Sequence, residues 1–166
     1  MRRNIARCCV LLLLGCGAFF IPPGSAARTM PHADDAKSAE PWSTSDTVSA
    51  EQLHRELADA KSPKPAIVYV GFRTLFAGGH IPGATFHGTA SKPEGIEELK
   101  KWADRLPRTT EVVIYCGCCP FEKCPNIRPA YTALHEMGFR KLRVLVLPTS
   151  FAVDWAGKGY AIEKGL

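Results

Sequence analysis

The sequence of 166 residues lacks two features that would point directly to a function. It has no strong excess of one charge, because residues 1–27 hold three of the 21 Lys and Arg residues and the remainder carries a formal charge of only +2. So small a charge does not predict a nucleic-acid partner. It also has no apolar run of the roughly 20 residues that a membrane-spanning helix needs. We therefore expect neither nucleic-acid binding nor a membrane span.

Cysteine is absent from residues 17–115 and from residues 125–166. The seven cysteines consequently form two groups, Cys8, Cys9 and Cys16 near the N-terminus and Cys116, Cys118, Cys119 and Cys124 within nine residues. Cysteines can pack as small apolar side chains or form disulfides. Crowding of the second group makes simple core packing a poor explanation and indicates thiol chemistry.

The N-terminal region has the pattern of an export signal. A basic start, an apolar run over 8–21 and the small residues before Arg28 predict a signal peptide over 1–27, cleaved near Ala27. We expect an exported protein, most simply in a bacterial periplasm. The alternative is a lipid anchor on Cys16, because residues 13–16 loosely resemble a lipobox. Residues 28–47 are polar and predict a flexible linker, which leaves one domain over 48–166.

Within that domain, apolar residues alternate between helical and strand patterns. Helices are predicted over 49–60, after Pro93, from Asn126 to Gly138, and near 151–157. Ser49 and Asn126 are expected to cap the first and third of these helices. Fully apolar strands are predicted over 66–70, 111–115 and 142–147, with a loop over 71–88. This order predicts an α/β fold, in which a central parallel sheet has helices on both faces.

The second cysteine group follows a predicted strand directly and precedes a predicted helix. Ligands of such folds bind at the carboxyl ends of the strands, and backbone N–H groups at a helix start attract anions. We therefore expect an anion cradle here and a lowered pKa at Cys116, which alone follows the strand immediately. The predicted cradle consists of Gly117, Cys118, Cys119, Lys123, Asn126 and Arg128.

Three segments in the same order resemble the rhodanese homology domain. They are Gly-His-Ile-Pro-Gly-Ala at 79–84, Val-Val-Ile-Tyr-Cys at 112–116, and Trp155 followed by Gly159 and Tyr160. Together they cover about 48–164. The resemblance implies a rhodanese-like α/β fold and an enzyme, a sulfurtransferase that carries a sulfane sulfur as a persulfide on Cys116. It implies no cofactor, a small anionic sulfur donor, and an acceptor that is a thiol or another nucleophile, including one on a protein.

The sequence departs from that family at the site. Tyr69-Val70-Gly71 stands where the family usually has Asp-Val-Arg, and the cysteine loop is longer than the common one. Cys118, Cys119 or Cys124 could resolve an oxidised Cys116 as a disulfide. Alternatively, Cys116, Cys118, Cys119 and Cys124 could bind Zn²⁺ or copper. Thioredoxin-like oxidoreduction and a rhodanese-like binding domain without catalysis are the remaining alternatives.

Overall fold

A computed structural model describes residues 40–166. The predicted signal peptide, its cleavage position at Ala27, the possible lipid anchor at Cys16 and most of the predicted linker lie outside the described residues. The elements, in chain order, are β1 (Thr47–Ser49), α1 (Ala50–Ala58), β2 (Ala66–Tyr69), α2 (Arg73–Gly78), β3 (Thr85–Phe86), α3 (Pro93–Ala103), β4 (Val112–Tyr115), α4 (Ile127–Glu136), β5 (Leu142–Val146) and α5 (Phe151–Asp154).

The five strands form one sheet in the order β1-β5-β4-β2-β3, and every pair is parallel. The central strand β4 is buried along its whole length, which explains why its sequence is continuously apolar rather than alternating. The predicted α/β fold with a central parallel sheet is confirmed. Because all strands run the same way, their carboxyl ends meet at one edge, and residue 116 lies there.

Helices cover both faces of the sheet, and successive residues of β4 enter opposite cores. Val112 and Ile114 pack into the core that includes residues of α3 and α4. Val113 and Tyr115 pack into the core on the other face, with Leu53 of α1 and Trp155. Two separate apolar layers therefore hold β4 from both sides, and they fix the direction in which the chain leaves the sheet after Tyr115.

The structure refines several of the predicted elements. Ser49 caps α1 as expected, since its hydroxyl accepts the Gln52 N–H at 3.1 Å. Residues 71–88, predicted as a loop, include the short helix α2 and the two-residue strand β3. Strand β1 was also not predicted. Segments this short carry too few residues to show a periodic apolar pattern, so hydrophobic spacing could not reveal them. Within residues 40–166, no helix has the length and apolarity needed to cross a membrane.

Candidate active site

The cysteine loop, residues 116–126, leaves the carboxyl end of β4 and leads into α4. Its first turn requires glycine, because Gly117 has a φ of +73° and a Cβ there would lie 2.6 Å from Phe151. The Gly117 carbonyl accepts the Phe151 N–H at 2.9 Å, which ties the loop to α5. The start of the loop is thus held by the helix that follows β5.

Three of the four cysteine sulfurs of the loop form a cluster. The sulfurs of Cys116, Cys118 and Cys124 all lie within 4.8 Å of one another. The Cys116 thiol lies 3.1 Å from the Cys118 sulfur. Cys119 is outside this cluster, and its sulfur lies 3.5 Å from that of Cys118. All four are free thiols, and Cys116 and Cys124 are each only 2% exposed.

Asn126 joins the cluster to the neighbouring loop. Its side chain is completely buried, and its Oδ1 accepts the Ser91 N–H at 2.9 Å. Its Nδ2 lies 3.5 Å from the Cys116 sulfur and 3.9 Å from the Cys118 sulfur, where it can donate to both. The prediction that the Asn126 side chain caps α4 was wrong, because the amide makes no capping hydrogen bond and serves these contacts instead. The residue nevertheless lies where the predicted cradle placed it, beside the sulfur.

The start of α4 stabilises a different thiolate from the one expected. A hydrogen bond from Cys116 and the backbone N–H groups of Asn126 and Ile127 lower the pKa of Cys124 to about 6. The pKa of Cys116 is raised, first because its thiol is hydrogen-bonded to Cys124 and then because it is buried. The expected lowering of the Cys116 pKa was therefore wrong. The backbone N–H groups of Asn126 and Ile127 donate to Cys124, whereas Cys116 receives a backbone hydrogen bond from Cys118.

The two cations of the predicted cradle lie away from the sulfurs of the cluster. The Arg128 guanidinium forms an ion pair with Glu40 and donates to the carbonyls of Glu122 and Cys124, at 3.2 Å each. It therefore braces the loop, and its charge is already matched. Lys123 is exposed in the short 3₁₀ turn Phe121–Lys123.

Cys116 borders a cavity of about 420 Å³ at the carboxyl edge of the sheet. Among residues 40–166, no Lys, Arg, His, Asp or Glu side chain lines it. Its walls come from the end of β2, helix α2, the cysteine loop, α5 and the C-terminal segment, namely Tyr69, Thr74, Leu75, Gly78, Gly79, Cys116, Gly117, Cys118, Ser150, Phe151, Ala152, Ala156 and Ile162. A reagent that reaches Cys116 through this cavity meets apolar and uncharged polar groups.

Two residues of this cavity region were not predicted as site residues. Tyr69 is the last residue of β2 and pairs in register with Tyr115, so its position follows from the sheet. Gly71 follows two residues later, and a Cβ there would lie 2.5 Å from Tyr69 Oη and 2.8 Å from Cys116 Sγ. The sequence offered one signal, because these residues stand where the resembled family has Asp-Val-Arg.

Comparison with known proteins identifies the fold. No protein-family model and no curated protein matches the sequence. A rhodanese-like domain from Anabaena sp. matches in structure with a TM-score of 0.52 and 22% identity, over 72% of this chain and 79% of that one. A protein from Bacillus halodurans matches with a TM-score of 0.56 and 18% identity, over 71% of this chain and 76% of that one. A single-domain sulfurtransferase from Saccharomyces cerevisiae matches with a TM-score of 0.51 and 17% identity, over 69% of this chain and 90% of that one. At such identities the likeness concerns the fold, and the rhodanese-like fold that the sequence motifs implied is confirmed.

Proposed function

We propose that the protein is a sulfurtransferase that carries a sulfane sulfur as a persulfide on Cys116. The observation that carries this proposal is the position of Cys116, which follows the central strand, borders the cavity and faces two further sulfurs. The acceptor is a thiol or another nucleophile. Export to the periplasm and action as a single domain over 48–166 belong to the same proposal.

Cys124 supplies the base for the first step. A thiol attacks sulfur only as the thiolate, and the Cys124 sulfur, which favours the ionised form, lies within 4.8 Å of the Cys116 sulfur. The Cys116 sulfur attacks the unprotonated sulfur of the hydrodisulfide anion, HSS⁻, while its proton moves to the Cys124 thiolate. The S–S bond of the donor breaks, and hydrosulfide leaves with the bonding electron pair. The products are the Cys116 persulfide anion, the Cys124 thiol and hydrosulfide, so atoms and charge balance.

The persulfide has two routes onward. An external thiolate can attack its outer sulfur and leave with it, which restores Cys116. Alternatively, Cys118, whose sulfur lies 3.1 Å from that of Cys116, can attack the inner sulfur of the protonated persulfide. That attack releases hydrosulfide and forms a Cys116–Cys118 disulfide. Cys119 lies outside the cluster, and no step requires it.

The uncharged lining of the cavity affects which class of sulfur donor reacts fastest. We propose that donors of low charge, such as the hydrodisulfide anion, react faster than thiosulfate, because a dianion entering the cavity meets no cationic side chain of residues 40–166. The compensation that the described residues offer comes from uncharged donors such as hydroxyl and peptide N–H groups. This narrows the anionic donor expected from the sequence to the less charged members of that class.

The test is sulfur loading of matched variants, in each of which one cysteine is replaced by serine. Reduced protein is exposed to sodium polysulfide and analysed by intact mass and fragmentation mapping. We expect one added sulfur atom on Cys116 of the parent, none at that position in Cys116→Ser, and unchanged loading in Cys119→Ser, the control that leaves the cluster intact. Equal loading of the parent and Cys116→Ser would overturn the proposal. Complete absence of loading would favour a rhodanese-like binding domain.

A thiolate metal site is the second candidate, and the sulfur cluster favours it. Cys116, Cys118 and Cys124 offer three sulfurs within 4.8 Å of one another, a donor set suited to Cu(I) or Zn²⁺. Of the four ligands considered from the sequence, Cys119 lies outside that group. Elemental analysis of protein purified under reducing conditions tests this function. One tightly held ion that Cys124→Ser loses and Cys119→Ser keeps would support it, and metal-free protein that still loads sulfur would contradict it.

A further inference from the structure

The hydroxyl group of Tyr69 is a buried polar group that the fold itself does not use. The Tyr69 side chain is 3% exposed, and its hydroxyl proton has no acceptor within residues 40–166, because the Phe72 N–H near it can only donate. A buried hydroxyl with no acceptor for its proton costs about 1–3 kcal/mol. Phenylalanine would fill the same space without this cost, so packing alone does not account for tyrosine here.

The neighbouring Tyr115 shows the contrast. It pairs with Tyr69 across the sheet, and their rings meet edge to face with centroids 5.2 Å apart. The Tyr115 hydroxyl, however, accepts the Ile81 N–H at 3.0 Å and so holds the turn that follows α2. Of these two adjacent tyrosines, one has a structural hydrogen bond and the other has a free hydroxyl.

That free hydroxyl borders the reactive sulfur. The space that a Cβ on Gly71 would occupy lies 2.5 Å from Tyr69 Oη and 2.8 Å from Cys116 Sγ. The Gly71 backbone therefore lies close against both atoms, and glycine at this position keeps any side chain from separating them. Tyr69 also lines the cavity that reaches Cys116.

We propose that Tyr69 is a further catalytic residue, whose hydroxyl donates a hydrogen bond to the sulfur carried on Cys116. This inference rests on the sulfur-transfer function proposed above. As the sulfane sulfur moves to Cys116, negative charge collects on that outer sulfur, and a donor already in place stabilises the charge without reorganisation. The hydroxyl keeps its proton throughout the step. Burial and the nearby cysteine sulfurs raise the pKa of Tyr69, so it acts as a hydrogen-bond donor and not as an acid.

The experiment compares Tyr69→Phe with Tyr115→Phe, the same change one strand away. Each variant is loaded with sodium polysulfide, and the rate of persulfide formation on Cys116 is followed by quenched mass analysis alongside thermal unfolding. We expect Tyr69→Phe to load about 10- to 100-fold more slowly, as for loss of a hydrogen bond to a charged group. Its melting temperature should equal or exceed that of the parent, because the change removes an unpaired polar group. Tyr115→Phe should load normally and melt at a lower temperature.

The outcomes separate this inference from the function on which it rests. If the parent loads Cys116 and Tyr69→Phe loads at the same rate, the role of Tyr69 is refuted while the sulfur-transfer function stands. If the parent does not load Cys116 at all, the function itself fails. A slower Tyr69→Phe variant that is also less stable than the parent would indicate a structural hydroxyl and would overturn the inference. A second readout is the pH dependence of sulfur release, which should shift upward in Tyr69→Phe because the persulfide loses a stabilising donor.

Discussion

Replacing Asn126 by Asp changes one group beside the reactive sulfur and keeps its shape. In the parent, Nδ2 of Asn126 lies 3.5 Å from the Cys116 sulfur, while Oδ1 accepts the Ser91 N–H. Asp keeps the acceptor for Ser91 but puts a carboxylate oxygen where the donor was. A favourable contact with a developing thiolate thereby becomes a repulsive one.

The size of the effect follows from that distance. Two negative charges 3.5 Å apart repel by about 5 kcal/mol at the effective dielectric constant of about 20 that describes protein sites. That energy corresponds to roughly three pKa units. Either the pKa of the Cys116 thiol rises further, or the new carboxyl takes up a proton to avoid the repulsion. We expect reaction at Cys116 near neutral pH to slow by about 100-fold or more in Asn126→Asp.

Alkylation by iodoacetamide, followed across the pH range with fragmentation mapping of each cysteine, measures this change. Gln52→Glu is the control, because it makes the same change from amide to acid on the exposed face of α1. If Cys116 in Asn126→Asp reacts within twofold of the parent at every pH, the Asn126 amide does not act on that sulfur. Stabilisation of a Cys116 thiolate by this amide would then be refuted.

Three further outcomes are expected. Gly71→Ala would bring a methyl group within 2.5 Å of a buried hydroxyl and should lower the free energy of unfolding by about 1–3 kcal/mol. Gly78→Ala, whose Cβ meets nothing within 4 Å, should leave the free energy of unfolding unchanged. Urea unfolding of the two variants measures the difference. The pKa of Cys124, about 6 in the folded protein, lies below its unfolded value of about 8.5. Between pH 6 and pH 8.5 the free energy of unfolding should therefore increase with pH, and this gain should disappear as the pH falls back to 6. Cys124→Ser should flatten this dependence of stability on pH. Leu75→Arg adds a cation to the cavity wall and should speed sulfur loading from thiosulfate in a salt-dependent manner. Leu166→Arg, at an exposed position that does not line the cavity, should leave the loading rate unchanged. Equal rates in the two variants would contradict the proposed effect of the uncharged cavity on donor choice.

The sequence predicted the main elements because their apolar residues follow clear patterns. The apolar residues of α3 and α4 recur at helical spacing, and β4 is apolar throughout, so each of these elements was predicted within a few residues of its observed bounds. Once the strands were expected to be parallel, their carboxyl ends had to meet at one edge. The position of Cys116 at that edge then followed from its place after β4.

The internal arrangement of the cysteine loop could not be predicted in the same way. Residues 116–126 contain no periodic pattern, and their conformation depends on contacts with distant segments, such as the hydrogen bonds of Ser91 with Asn126 and of Phe151 with Gly117. Which sulfur faces the start of α4 is decided by those contacts. The sequence shows that backbone N–H groups at the start of α4 are available to stabilise an anion. It does not show which of the four nearby thiols lies against them.

The length of the loop explains how the thiol chemistry is divided. In a short loop, a cysteine directly after a strand would itself face the N-terminus of the next helix and gain its stabilisation as a thiolate. Here residues 117–126 intervene, so the N–H groups of Asn126 and Ile127 stabilise Cys124, while Cys116 stays at the sheet edge beside the cavity. The sulfur that borders the cavity and the sulfur that favours the negative charge are therefore different residues. The proposed reaction at Cys116 therefore includes a proton transfer to Cys124, a step that a cysteine lying directly against the start of the helix would not need.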